Sequence, residues 1–143
     1  MADNYFDTFI TVAEDTRATV ATVPEPRAGK PTVAMLQYAM LSDSFAYTQA
    51  EVLFDVWFQR QGEQGKIDVD NVSSDERNVI REQFFAKGQA CLRASALTKT
   101  YGWGIVFDDE GRAALCAMES DEYKKYANDP DLKVVKAMRS KRA

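Results

Sequence analysis

Histidine is absent from this 143-residue chain. That absence removes the usual general base near neutral pH and the commonest transition-metal ligand. Catalysis by a serine–histidine or cysteine–histidine pair within the chain is therefore excluded. The chain has two cysteines, Cys91 and Cys116, which lie far apart in the sequence. A zinc site would need more sulfur or nitrogen ligands, so we predict no metal and no cofactor.

Long apolar runs are also missing, because no segment approaches the roughly 18–20 residues of a membrane span. The first residues, Met-Ala-Asp-Asn-Tyr, lack the basic and hydrophobic regions of a signal peptide. Two cysteines without an export signal predict reduced thiols and a cytoplasmic location. Seven glycines and four prolines are too few for a disordered or fibrous chain. The length predicts a single globular domain over residues 1–143.

The net charge of −4 is unevenly distributed. Five basic residues and no acidic one crowd the last eleven positions, and these are Lys133, Lys136, Arg139, Lys141 and Arg142. The rest of the chain is strongly acidic, which argues against broad binding to nucleic acids or anionic membranes. We interpret the basic end as a solvated strand or tail, with a local anion site as the alternative.

Apolar spacing and turn residues predict the secondary structure. Strands are expected at 5–12, 89–97, 102–108, 112–118 and 132–138, and helices at 32–41, 48–61, 73–86 and 120–128. A helix is the alternative for 132–138. Thr48 and Ser73 each begin a capping box, and Pro31 is predicted at the first position of its helix. Asp108-Asp-Glu-Gly111 is typical of a hairpin turn, which explains its acids better than a metal site does.

Strands concentrate in the second half of the chain and helices in the middle, which predicts an α+β fold. We expect an antiparallel sheet of about four to five strands with helices packed on one face. The aromatic stripe at residues 53–58 is interpreted as core, with the face of a homodimer as the alternative.

The segment Cys91–Gly104 has the densest mixture of polar and aromatic residues. If residues 89–97 form a strand, Cys91, Arg93 and Ser95 project from one face. An arginine between a thiol and a hydroxyl is suited to bind a carboxylate or phosphate, or to favour a reactive thiolate. The other candidates for this ligand site are Lys99, Tyr101, Trp103 and Arg139.

Each of these residues also has a structural interpretation. Cys91 is more often a small buried residue than a nucleophile, Arg93 is typical of an ion pair with an acid from a helix, and Tyr101 and Trp103 are typical of sheet core. Gly102 and Gly104 either let a ligand approach the backbone or mark a bulge. Gly29-Lys30 lacks the upstream glycine of a phosphate loop, so we do not interpret it as one.

Several stretches resemble a family of small uncharacterised bacterial proteins, a domain of unknown function. The stretches are Asp7-Thr-Phe-Ile10, Tyr47-Thr-Gln-Ala-Glu-Val-Leu-Phe54, Lys87-Gly-Gln-Ala-Cys-Leu-Arg-Ala-Ser95, Lys99-Thr-Tyr-Gly-Trp-Gly104 and the segment from Lys133 to Arg142. The resemblance covers most of the chain and implies a bacterial, cytoplasmic protein without an established activity.

Three functions follow as hypotheses. The first is a non-enzymatic domain that binds a small anionic ligand or a protein partner through residues 91–104. The second is an enzyme with Cys91 as thiolate nucleophile, in which carboxylates or Tyr101 move protons because histidine is absent. The third is a nucleic-acid accessory protein that uses the basic C-terminus, which the acidic body makes the weakest of the three.

Overall fold

The computed structural model describes residues 4–139. Within them the strands are β1 (Thr8–Thr11), β2 (Tyr47–Thr48), β3 (Trp103–Phe107), β4 (Arg112–Ala117) and β5 (Lys133–Lys136). The helices are α1 (Val33–Leu41), α2 (Gln49–Glu63), α3 (Ser74–Ala86), α4 (Ala96–Lys99) and α5 (Asp121–Ala127). A short 3₁₀ turn at Leu92–Ala94 precedes α4.

The five strands form one sheet in the order β2-β4-β3-β1-β5. All neighbours are antiparallel except β1 and β5, which are parallel. The turn between β3 and β4 is the predicted hairpin, and Gly111 adopts there the positive φ of 81° that glycine tolerates. The N-terminal strand β1 therefore lies between two strands from the last third of the chain.

Side chains alternate between the two faces of the sheet, and both faces are covered. Ile10, Ile105 and Phe107 belong to the main core, which is completed by residues of α1, α2 and α4. Phe9 and Val106 point to the opposite face, where aromatic residues of α5 cover them. The sequence predicts helices on one face only, and α5 is the exception to that arrangement.

The helix starts follow their capping residues. At α2, Thr48 accepts a hydrogen bond from the Glu51 N–H, and the Glu51 carboxylate accepts one from the Thr48 N–H, as the capping box predicts. Ser73 caps α3 by accepting from the Glu76 N–H. The predicted position of Pro31 is wrong, because Thr32 caps α1 and Pro31 precedes that cap.

A separate aromatic cluster joins α2 to α3. It consists of the buried Phe54, Phe58, Phe84 and Phe85, with Trp57 packed against them. Arg77 lies over the Phe54 ring at 5.1 Å and pairs with Asp55 at 2.5 Å. The interpretation of residues 53–58 as core is confirmed for this stripe, whose phenylalanines are turned into the protein.

The α+β class is confirmed, and so are the strand at the C-terminal end and the helix after Ser120. The predicted strand at 89–97 is wrong. Gln49 accepts a hydrogen bond from the Leu92 N–H at 2.8 Å, and Ser95 accepts one from the Leu97 N–H at 3.2 Å. Side chains therefore satisfy backbone groups that a strand would offer to a neighbour, and the segment turns instead.

Candidate functional site

The turn at residues 91–97 separates the side chains that were predicted to project from one face of a strand. Ser95 is 6% exposed and donates to the Gln37 side-chain oxygen at 2.5 Å. Cys91 is only half-buried and faces Tyr5. The expectation that Cys91, Arg93 and Ser95 share one face is wrong, because it depended on the strand.

Arg93 closes the outer edge of the sheet. Its Nε donates to the Lys136 carbonyl oxygen at 2.7 Å, and its own carbonyl accepts from the Met138 N–H at 2.8 Å. The first contact satisfies a backbone group of β5, the edge strand, and the second satisfies the N–H of Met138 just after it. Within the described part of the chain, the Arg93 guanidinium thus binds the protein's own backbone.

Trp103 and the glycines on either side of it accommodate the protein's own atoms. The indole N–H donates to the Thr22 carbonyl at 2.8 Å, and the Thr22 N–H donates to the Tyr101 carbonyl at 2.9 Å. A Cβ at Gly102 would lie 2.7 Å from the Val20 carbonyl oxygen. Gly102 therefore lets the loop at residues 20–22 cross β3 closely, in the place predicted for a ligand.

Arg139 is bound to an acid of the first loop. Its guanidinium contacts the Glu14 carboxylate at 2.5 Å, and Lys136 pairs with the same carboxylate. The Lys136 ammonium and the Arg139 guanidinium together lower the pKa of Glu14 to about 2. Two of the basic C-terminal residues are thereby neutralised, while Lys141 and Arg142 lie outside the described residues.

Cys91 belongs to a small polar cluster beside β1. The Tyr5 hydroxyl donates to the Cys91 sulfur at 3.4 Å, and the Arg93 charge acts on this pair. Burial raises the pKa of Tyr5 to about 12, reinforced by the Cys91 thiol and opposed by Arg93. Cys116 is different, because it lies buried under α5 and burial raises the pKa of its thiol.

A groove of about 950 Å³ lies between the loop before α1 and the end of α2. Arg27 and Lys30 line it from the loop before α1, and Arg60 and Glu63 line it from the last turns of α2. Among residues 4–139, the three basic side chains form no hydrogen bond and no ion pair. The groove therefore holds three uncompensated cations and one carboxylate.

The rest of the groove wall is mainly apolar. It is formed by Pro31, Val33, Ala34, Ala96 and the ring of Tyr101. Val33 and Ala34 are the first two residues of α1, whose N–H groups have no acceptor inside the helix. The positive end of the α1 dipole thus adds to the charge of the basic side chains.

Of the residues predicted as a ligand site, the groove includes Tyr101 alone. Lys99, on α4, is half-buried and does not line the groove. The sequence analysis missed Arg27, Lys30 and Arg60. One signal was present, since Arg27-Ala-Gly-Lys30 places two basic residues around a turn just before a helix cap.

In residues 4–139, no cluster of three cysteine, aspartate or glutamate side chains is arranged to hold a metal ion. None of the helices in this range has the length and apolarity that crossing a bilayer requires.

A family model described as "Family of unknown function (DUF6157)" matches residues 1–143. No curated protein and no solved structure matches the chain.

Proposed function

Because the chain belongs to the DUF6157 family, whose function is unknown, we propose its function from the geometry of the groove. We propose a non-enzymatic domain that binds a small organic anion between the loop before α1 and the end of α2. The observation that carries this proposal is that Arg27, Lys30 and Arg60 line one groove and that none of them has an acidic partner in residues 4–139.

The charge of the groove supports this proposal. Most surface cations of a globular protein point into water singly, where they contribute little to binding. Here three basic groups share one concavity with a single acid, Glu63. Low-dielectric walls focus the field of such a cluster and raise the local concentration of anions.

The shape and lining support a small molecule as the ligand. A volume of about 950 Å³ lies at the upper end of the range of roughly 300–1,000 Å³ typical of small-molecule sites. Apolar walls with a few polar groups are also typical of such sites. Tyr101 belongs both to the segment predicted from the sequence and to the proposed site.

We expect Arg60→Gln to weaken anion binding by about 10- to 100-fold, since hydrogen bonds to charged groups contribute roughly 1.5–3 kcal/mol. The measurement is a thermal-shift screen with metabolites rich in phosphates and carboxylates, followed by calorimetry on each ligand found. The matched control is Arg17→Gln, which removes an exposed arginine that does not line the groove.

Stabilisation of the wild type and Arg17→Gln, but not of a folded Arg60→Gln, supports the proposal. A screen without any stabilising anion, or equal stabilisation of all three proteins, contradicts it. Arg93→Ala belongs in the same screen, because binding through residues 91–104 remains a prediction. Loss of binding in that variant, with Arg60→Gln unaffected, moves the site to the sequence-predicted segment.

The Tyr5–Cys91–Arg93 cluster supports a second candidate, a thiol-dependent activity at Cys91. We expect iodoacetamide to alkylate Cys91 in the native protein at least tenfold faster than Cys116, because Cys116 is buried and its thiol ionises less readily. Peptide mass spectrometry over a time course measures both rates. Equally slow alkylation of the two cysteines removes this candidate, and Arg93→Ala tests whether the guanidinium activates the thiol.

A further inference from the structure

The two cations of the loop before α1 are held side by side by a tight turn. Arg27 and Lys30 pair through two backbone hydrogen bonds, of 2.9 Å and 3.0 Å. Between them, Ala28 has a φ of 52° and Gly29 a φ of 76°. Two consecutive positive φ angles are typical of a two-residue hairpin turn. Residues directly opposite each other in such a pair project to the same side.

This arrangement of the two cations is unfavourable by itself. Like charges directly opposite each other destabilise an antiparallel pair. Alanine also seldom adopts a positive φ, and strained backbone of this kind is concentrated at functional sites. In residues 4–139 neither Arg27 nor Lys30 has an acidic partner. A ligand that bridges the two cations would relieve the repulsion.

The charge balance of the groove favours a dianion as that ligand. Three basic residues and Glu63 leave an excess of two positive charges in its lining. A phosphate monoester has about −1.5 to −2 charges near pH 7 and three oxygens that accept hydrogen bonds. Such oxygens match the arginine fork and the lysine ammonium together, and the first N–H groups of α1 are further donors.

The remaining wall favours an organic body on the phosphate. The groove is much larger than an inorganic phosphate ion, and Pro31, Val33 and Tyr101 present apolar surface to it. Apolar surface that stays in water contributes nothing to affinity, whereas an aromatic or aliphatic group would bury it. A phosphate at the turn and an apolar body along the wall would use both parts of the groove.

We infer that the groove selects small phosphate monoesters with an apolar body over monoanions of the same shape, because Arg27 and Lys30 bind the phosphate jointly. The inference rests on the proposed function and narrows its ligand class. Arg60 completes the phosphate contacts from α2, and Tyr101 contacts the body.

The test compares phenyl phosphate, phenyl sulfate and inorganic phosphate by calorimetry on the full chain at pH 8. Phenyl sulfate has the same shape as phenyl phosphate and one negative charge fewer. We expect phenyl phosphate to bind about tenfold or more tightly than either of the others. Its affinity falls as the pH drops below about 6, where the phosphate becomes a monoanion, and that of phenyl sulfate does not.

Two variants test the paired cations. Lys30→Met removes one charge of the pair at an exposed position, so folding is retained. A glycine inserted between Ala28 and Gly29 keeps every charge and separates Arg27 from Lys30. Both variants are expected to bind phenyl phosphate no better than phenyl sulfate.

The outcomes separate the inference from the proposed function. Equal affinity of the wild type for phenyl phosphate and phenyl sulfate overturns selection for a dianion and leaves an anion groove. Failure of both phenyl compounds, with another anion bound at Arg60, overturns the phosphate-ester class alone. Absence of binding by every anion overturns both. Unchanged selectivity in the glycine-insertion variant rules out joint binding by the hairpin.

Discussion

Replacement of Phe9 by alanine is expected to destabilise the protein by about 3–5 kcal/mol, the usual cost of removing a fully buried phenylalanine ring. Phe9 is 0% exposed. Its ring lies 5.1 Å from that of Tyr123 and 5.5 Å from that of Tyr126, between β1 and α5. Urea denaturation followed by circular dichroism measures the loss.

The control is Phe6→Ala, at a phenylalanine on the same segment that is 54% exposed. A change at that position is expected to cost less than about 1 kcal/mol, since most of the ring is already in water. Similar losses at Phe9 and Phe6 would contradict the placement of α5 over this face. Because a domain is typically stable by only about 5–15 kcal/mol, the Phe9 variant is best measured at low temperature.

Gly104→Ala is expected to destabilise the protein by about 1–3 kcal/mol by overpacking the same region. A Cβ at this position would lie 2.8 Å from the Phe9 Cζ and 2.9 Å from the Tyr123 Cε2. Both atoms belong to rings enclosed between the sheet and α5, so neither moves away freely. Urea denaturation again provides the measurement, with an unchanged m-value as the sign that the folded state is retained.

A double-mutant cycle separates this steric effect from other consequences of losing glycine. Phe9→Leu removes the ring atom nearest to the added Cβ. We therefore expect Gly104→Ala to cost at least about 0.5 kcal/mol less in a Phe9→Leu background than in the wild type. An identical cost in the two backgrounds would show that the contact with Phe9 is not the cause.

Local signals in the sequence predicted the elements whose ends are fixed by neighbouring residues. The Thr48–Glu51 box fixes the start of α2, and Gly111 fixes the turn between β3 and β4. These interactions span a few residues, so they can be read from the sequence alone. The 89–97 segment failed for the opposite reason, since Gln49 satisfies its backbone from a distant helix. No local pattern reports such a contact.

The groove could not be predicted from local sequence patterns either, because it is formed by residues that are distant in the sequence. Its basic residues come from a turn and from the far end of α2, and Tyr101 comes from the approach to β3. Only folding brings these three parts together. The polar groups of residues 91–104 are adjacent in sequence, which predicts a site there, yet several of those groups bind the protein's own backbone. Polar residues that are close together in the sequence need not form one site in the folded protein.

The position of β1 between β3 and β5 also constrains how the protein folds. Thr11 of β1 donates a hydrogen bond to Val135 of β5, 124 positions later. Both neighbours of β1 are made long after β1 itself, so the sheet cannot be complete before residue 136 has been made. Proteins dominated by such distant pairings fold slowly, because loop entropy is lost before the contacts form. Until then Phe9 and Ile10 remain without all of their partners, and exposed apolar residues of this kind make an incomplete chain prone to aggregate.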